Sequence, residues 1–259
     1  MPEINEQTAQ TNATGLVTLA GAGPGDPELL TLAVARALEA ADVVLHDRLV
    51  SAEILALAGP QALVIETGKA GFGPALPQSE INALIVAFAR DGRNVLRLKS
   101  GDAGIFGRLG EELDALDAAG IAYRVLPGIT AASAAAASLG QSLTERGRNS
   151  ELRLVTGHDT EGYAEADWTA LARPGAVAAI YMGKRAARFI QGRLMMHGAS
   201  GSTPVTLVEN VSRADQRVIE SCLATLPRDA EALKGPAVIL LGLAPRKATQ
   251  TVFPLEALK

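Results

Sequence analysis

Three glycine-containing loops, Gly21-Ala22-Gly23-Pro24-Gly25-Asp26-Pro27, Ser100-Gly101-Asp102 and Pro127-Gly128-Ile129-Thr130, each follow an apolar β-like run and lead toward a helix-like one. Repeated strand–loop–helix alternation predicts a parallel sheet covered by helices on both faces. The loops then gather at the carboxyl edge of that sheet, where open α/β folds bind ligands, and glycine permits backbone turns closed to other residues. A small-molecule enzyme is the leading class.

The alternation gives strands at 16–20, 42–47, 62–67, 94–99 and 123–126. Helices are expected at 27–41, with Asp26 as N-cap and Pro27 in the first helical position, and at 51–58, 78–90, 107–119 and 130–139. The polar stretch 140–151, with Glu145, Arg146, Arg148 and Asn149, interrupts the pattern and reads as a linker or an active-site loop. A second round follows, with strands at 152–156, 176–182, 204–209, 216–220 and 237–243 and a helix at 184–196. Only 210–215 separates two of these strands, which predicts a hairpin and a mixed sheet. The expected organisation is a flexible tail over 1–15, an α/β domain over 16–128 and a mixed α/β domain over 129–259.

The chain is 48% hydrophobic but 3% aromatic, so the cores must be built from Leu, Val, Ile and Ala, as in Val-rich buried strands. A net charge of -4 gives no general attraction to nucleic acid or to an anionic membrane, so an anionic substrate would need a local basic pocket. The single Cys222 cannot form an internal disulfide and reads as a small buried hydrophobe, and the three scattered histidines show no zinc spacing. The polar start lacks the pattern of a secretion signal, and no apolar run approaches the roughly 20 residues that span a bilayer. These features predict a soluble cytoplasmic protein without a metal.

The first loop superficially resembles a dinucleotide fingerprint, but Asp26 stands where the third glycine belongs. A capping carboxylate there would occupy the helix amides and repel a pyrophosphate, which disfavours a phosphate-bearing cofactor. A cationic, phosphate-free cofactor such as S-adenosylmethionine fits better, although the loop alone also reads as a tight turn before a capped helix. Asp47, at the end of the second strand, could orient substrate or take a proton, or be a solvated strand end. Lys69 reads as a surface lysine or as a group on the binding edge. Arg108 is placed to meet a carboxylate, or to share a solvated face with Glu111 and Glu112. His158 reads as structural.

Several stretches carry a resemblance. They are GAGPGDPELLT at 21–31, ADVVLHDRLVS at 41–51, GK at 68–69, RLKSGDAGIFGRLGEE at 97–112, PGITAASAA at 127–135, VTGHD at 155–159 and YMG at 181–183. Together, in order over nearly the whole chain, they resemble the tetrapyrrole methyltransferases. The resemblance implies two α/β domains with the cofactor in the cleft between them, usually in a homodimer. It implies transfer of two methyl groups from S-adenosylmethionine to carbons 2 and 7 of uroporphyrinogen III. The products would be S-adenosylhomocysteine and, through precorrin-1, precorrin-2, an intermediate of cobalamin and sirohaem-type tetrapyrrole synthesis.

By motif position, the resemblance implies cofactor contacts at Pro24, Ser100, Gly101, Asp102, Ile105, Thr130, Ala131 and Met182. Asp47 and Lys69 fall on positions for proton handling, and Arg108, Glu111, Arg146 and Met182 on positions facing the macrocycle, with Lys69 a further basic group there. The chain departs from the family at Ser100, Ala103 and Gly104, where Gly-Gly-Asp-Pro-Phe is usual, and at Glu145, where His is common. The length suggests a single-function form without the extra module of fused sirohaem synthases. The alternatives are a later corrin-pathway methyltransferase, a nicotinamide dehydrogenase and a non-catalytic tetrapyrrole-binding protein.

Overall fold

The structure is a computed structural model that describes residues 14–68, 76–159 and 162–246. Two compact units emerge. One contains the described part of Met1–Ala22 with Leu30–Gly128, the other Gly23–Leu29 with the described part of Ile129–Lys259. The first glycine loop is therefore divided, and its second half packs with residues far along the chain: the Asp26 N–H donates to Ser212 Oγ at 3.0 Å.

The first unit holds strands β1 (Val17–Gly21), β2 (Val43–His46), β3 (Leu63–Glu66), β4 (Val95–Lys99) and β5 (Tyr123–Leu126). They form one sheet in the order β3-β2-β4-β1-β5, and every pairing is parallel, as the alternation predicts. The helices are α1 (Leu32–Glu39), α2 (Ala52–Leu55), α3 (Gln78–Arg90) and α4 (Leu109–Ala119). Period-two alternation divides the strands between two cores. Val17, Leu19, Val43, Leu45 and Val95 pack with Ile81, Ile85 and Leu116 of α3 and α4. Ala20, Val44, Leu96 and Leu98 pack with Val34, Leu38 and Ile54 on the side of α1 and α2.

The helix expected over 27–41 starts later. Pro27–Leu29 is a short 3-10 turn, and the Asp26 carboxylate accepts the Glu28 N–H at 2.9 Å. Thr31 caps α1 instead, its hydroxyl accepting from Val34 N. Asp26 thus serves a turn rather than a helix. Likewise α4 begins at Leu109, two residues after the expected start, because Arg108 before it is left-handed (φ 57°). Gly15, expected within the tail, is bonded into the first unit through its N–H to Ala89 O at 2.8 Å. Residues 1–13 lie outside the described residues.

The second unit contains α5 (Ala131–Ser138), β6 (Arg153–Thr156), α6 (Trp168–Leu171), β7 (Ala178–Tyr181), α7 (Ala187–Met196), β8 (Pro204–Glu209), β9 (Arg217–Cys222), α8 (Leu226–Glu231) and β10 (Ala237–Leu241). The sheet order is β6-β7-β10-β8-β9, with β6 parallel to β7 and the other pairs antiparallel. This is the expected mixed sheet, with β8 and β9 as its hairpin. Short α6 and α8 escaped the sequence reading because four and six residues carry too little periodicity. Residues of α5 cover one face, with Val177, Ala179, Val208 and Leu240, while α6, α7 and α8 cover the other. Cys222 is free but only half-buried, since it ends an edge strand rather than entering a core. No helix among the described residues is long and apolar enough to cross a membrane.

Candidate active site

The three glycine loops meet backbone to backbone at the carboxyl edge of the first sheet. A Cβ on Gly21 would lie 2.5 Å from Gly101 O and 2.7 Å from Gly128 Cα, and one on Gly128 would lie 2.6 Å from Gly21 C. Asp102 ties the junction together. Its Oδ1 accepts the Gly104 N–H at 2.8 Å and its Oδ2 the Gly128 N–H at 3.0 Å, so this residue shapes the loops on either side of Gly101 and Gly128. At this junction the loop backbones touch one another and leave no room for a side chain at Gly21 or Gly128.

Beside this junction is a pocket of about 220 Å³ in the first unit. Asp47, Arg97, Lys99, Phe106 and Arg108 are among its walls. Strand geometry explains the first three. Val43 and Leu45 of β2 and Val95 of β4 face α3 and α4, so by period two Asp47, Arg97 and Lys99 emerge on that same side. There Arg97 and Lys99 are each only 2% exposed and Glu112 of α4 is fully buried.

The four charges form one array. Arg97 Nε donates to Glu112 Oε1 at 2.9 Å, and Lys99 Nζ donates to the same oxygen at 2.8 Å. On its other side the Arg97 guanidinium donates to Asp47 Oδ1. Gln78 Nε2 adds a bond to Glu112 Oε1 at 3.2 Å. Two cations and two anions balance, as buried charges require. Burial works to lower the Arg97 pKa, but Asp47 and Glu112 outweigh it and hold it above the ordinary guanidinium value. Burial and the neighbouring Arg97 charge push the Lys99 ammonium below its ordinary value.

Arg108 sits at the pocket rim, paired with Glu111: its Nε and Nη2 each donate to a different carboxylate oxygen at 2.7 Å. The pair is exposed, 55% and 52%. This bidentate bond raises the Arg108 pKa and lowers that of Glu111. Phe106 and Arg108 both adopt left-handed backbone (φ 51° and 57°). Such strain, of about 1–3 kcal/mol per residue, collects at functional sites.

The structure thus brings Asp47 and Arg108 to the wall of one pocket, with Glu111 paired to Arg108 and with Ser100, Gly101, Asp102 and Ile105 in the adjoining loop. Lys69 lies outside the described residues. Pro24, Thr130, Ala131, Arg146 and Met182 belong to the second unit. There Thr130 hydrogen-bonds the Tyr181 hydroxyl, which also accepts the Ala132 N–H at 3.1 Å at the start of α5. Met182 is 51% exposed and left-handed (φ 53°). Its carbonyl accepts a hydrogen bond from His158 Nδ1 at 3.0 Å, which gives His158 the structural role expected of it. Arg146 is exposed within 140–151, a segment without helix or regular strand, where Asn149 Nδ2 donates to Leu143 O and Glu151 O.

Arg97, Lys99 and Tyr181 carry no expectation from sequence, and Glu112, expected on a solvated face with Arg108 and Glu111, is instead fully buried because it turns inward to Arg97 and Lys99. A signal was present for the first two: Val95-Leu96-Arg97-Leu98-Lys99 places two cations on one face of an otherwise apolar central strand, where unpaired charge is not tolerated.

A parallel α/β unit with a charged pocket at its carboxyl edge, followed by a mixed α/β unit, defines an α/β protein built to handle a small molecule. The chain belongs to the Tetrapyrrole (Corrin/Porphyrin) Methylases, a family that matches it over residues 16–227. Siroheme synthase 3 of Aeromonas hydrophila is 45% identical over 233 residues, 90% of this chain and 50% of that protein. The siroheme synthase of Edwardsiella ictaluri is 47% identical over 228 residues, 88% of this chain and 49% of that protein. The chain spans about half the length of the curated relatives it matches. Among solved structures, uroporphyrin-III C-methyl transferase of Thermus thermophilus, complexed with S-adenosylhomocysteine, is 35% identical over 88% of this chain and 97% of that one, with a TM-score of 0.75.

Proposed function

We propose that the chain is an S-adenosylmethionine-dependent C-methyltransferase that converts uroporphyrinogen III, through precorrin-1, to precorrin-2. Its similarity to the Thermus enzyme over 97% of that chain carries the reading. The pocket supports it, because a substrate with many carboxylate arms needs cations concentrated locally in a chain of net charge -4. Fitness for the methyl donor rests on the glycine junction, which holds the three loops backbone to backbone at one sheet edge, and on the absence of a phosphate to be repelled by the nearby carboxylates. The proposed donor contacts are Ser100, Gly101, Asp102 and Ile105 in the first unit and Pro24, Thr130, Ala131 and Met182 in the second.

When bound, S-adenosylmethionine supplies an electrophilic methyl on a sulfonium. An electron-rich pyrrole carbon of the reduced macrocycle would take that methyl, the C–S bond breaking as the C–C bond forms, and the chain's part is to align the two. The methylated macrocycle then sheds a proton, and Asp47 at the pocket wall is positioned to accept it. Arg108, Arg146 and Lys69 hold substrate carboxylates, Arg108 by sharing its guanidinium with Glu111. Alignment in a near-attack geometry contributes about 7–11 kcal/mol and a general base a further factor of roughly 100–10,000. The reading includes a homodimer, which sedimentation would test.

A later precorrin methylation is the second reading, favoured by the TM-score of 0.78 to a cobalt precorrin-4 methyltransferase at 27% identity. Counting S-adenosylhomocysteine released per macrocycle decides between them. Two per uroporphyrinogen III supports the first reading; none from uroporphyrinogen III, with turnover of an already methylated precorrin, supports the second.

A further inference from the structure

We propose that Arg97 is a positioning residue: clamped from behind by Glu112, which Lys99 holds in turn, it fixes the Asp47 carboxylate at the pocket wall in the orientation that proton removal needs. This rests on the role of Asp47 in the proposed reaction.

The argument comes from how the array is divided between interior and pocket. Arg97, Lys99 and Glu112 are 2%, 2% and 0% exposed, whereas Asp47 is 35% exposed, so Asp47 is the member of the array that a substrate can reach. The planar guanidinium spans both carboxylates, with Nε on Glu112 Oε1 and a terminal nitrogen on Asp47 Oδ1. Arg97 Nη1 also donates to Leu45 O at 3.3 Å and Leu98 O at 3.4 Å, so the group is held within the sheet itself. Lys99 and Gln78 on the same Glu112 oxygen keep that anchor from turning. Asp47 follows β2 immediately, and among the described residues Arg97 is the side chain that grips its carboxylate, so the orientation of Asp47 depends on this neighbour. A lysine in place of Arg97 keeps the charge but presents a single point donor and cannot bridge two carboxylates.

A double-mutant cycle tests this with Arg97→Lys, Asp47→Asn and the pair, measuring kcat and KM for uroporphyrinogen III and the Kd of S-adenosylhomocysteine. Arg97→Lys should lower kcat by about 100-fold, the scale of a misplaced reacting group, with KM and Kd within roughly twofold. In the Asp47→Asn background the same change should cost nothing further. An equal loss in both backgrounds overturns the proposal and makes Arg97 merely structural. Should Arg97→Lys not fold, Glu112→Gln, which loosens the anchor but keeps a bond to Arg97, takes its place in the cycle: a smaller loss confined to the Asp47 background is expected, and an equal loss in both again overturns the proposal. If Asp47→Asn itself turns over normally, the assignment of Asp47 fails instead, a result distinct from additivity.

Discussion

Asp102 and Gly128 are joined by a 3.0 Å hydrogen bond in which a carboxylate from the loop after β4 accepts the backbone N–H of the loop after β5. Its other oxygen holds Gly104 N. One side chain therefore sets the shape of the edge where the methyl donor is proposed to sit. Asp102→Ala leaves two amides without their acceptor, at about 1–3 kcal/mol for each one buried. Calorimetry should show S-adenosylhomocysteine binding weakened by roughly tenfold or more. Unchanged binding would mean that the loops hold their shape without this carboxylate.

Gly128 tolerates no side chain. Its Cβ would meet Gly101 O and lie 2.6 Å from Gly21 C, against backbone that cannot yield cheaply. Gly128→Ala should lower the melting temperature, by roughly 4–8 °C or more if the first unit melts as a small domain, and abolish donor binding. Gly110→Ala, inside α4 with nothing within 4 Å, is the control: it should not lower the melting temperature and should leave donor binding unchanged.

Arg108 and Glu111 form an exposed pair, so their bond adds little to stability. Arg108→Ala should leave the melting temperature unchanged and lower turnover by at least about tenfold through loss of a bidentate carboxylate partner, while S-adenosylhomocysteine affinity holds. A parallel loss of donor affinity would place Arg108 elsewhere in the mechanism.

Glu209 gives the second unit an acid-sensitive bond. Its buried carboxylate accepts from the amides of Lys234 and Gly235 and from Arg217 Nη1, the last at 2.9 Å. Burial pushes its pKa up, but these donors outweigh burial and hold it below the ordinary value. A depressed folded pKa means that the stabilisation is complete above the unfolded value of about 4.3 and is lost as pH falls through the folded one. Thermal melts from roughly pH 6 down to pH 3 should therefore show a steeper decline for the native chain than for Glu209→Gln. Parallel curves would remove Glu209 from the acid response.

Much of the fold was legible because periodicity was strong where it mattered. Runs such as Val43-Val44-Leu45 and Val95-Leu96, rich in β-branched valine and bounded by turn residues, are the buried strands they are expected to be, and α3 occupies the expected 78–90. The start of α1 was misplaced because Asp26-Pro27 is a strong local capping signal, yet the Asp26 N–H is drawn to Ser212, a partner 186 residues away. Long-range partners of this kind leave no local trace. The site was half legible. Motif positions brought out Asp47, Arg108 and Asp102, whose chemistry shows in their residue types. The roles of Arg97, Lys99 and Glu112 arise from a register between β4 and α4 that exists only once the sheet is closed.

The central claim is tested most directly by anaerobic incubation of the purified protein with uroporphyrinogen III and methyl-labelled S-adenosylmethionine, following the label and the mass of the macrocycle. The account predicts two labelled methyl groups on carbon, with precorrin-1 appearing first and precorrin-2 accumulating. A folded protein that binds S-adenosylhomocysteine yet leaves uroporphyrinogen III unlabelled would contradict it.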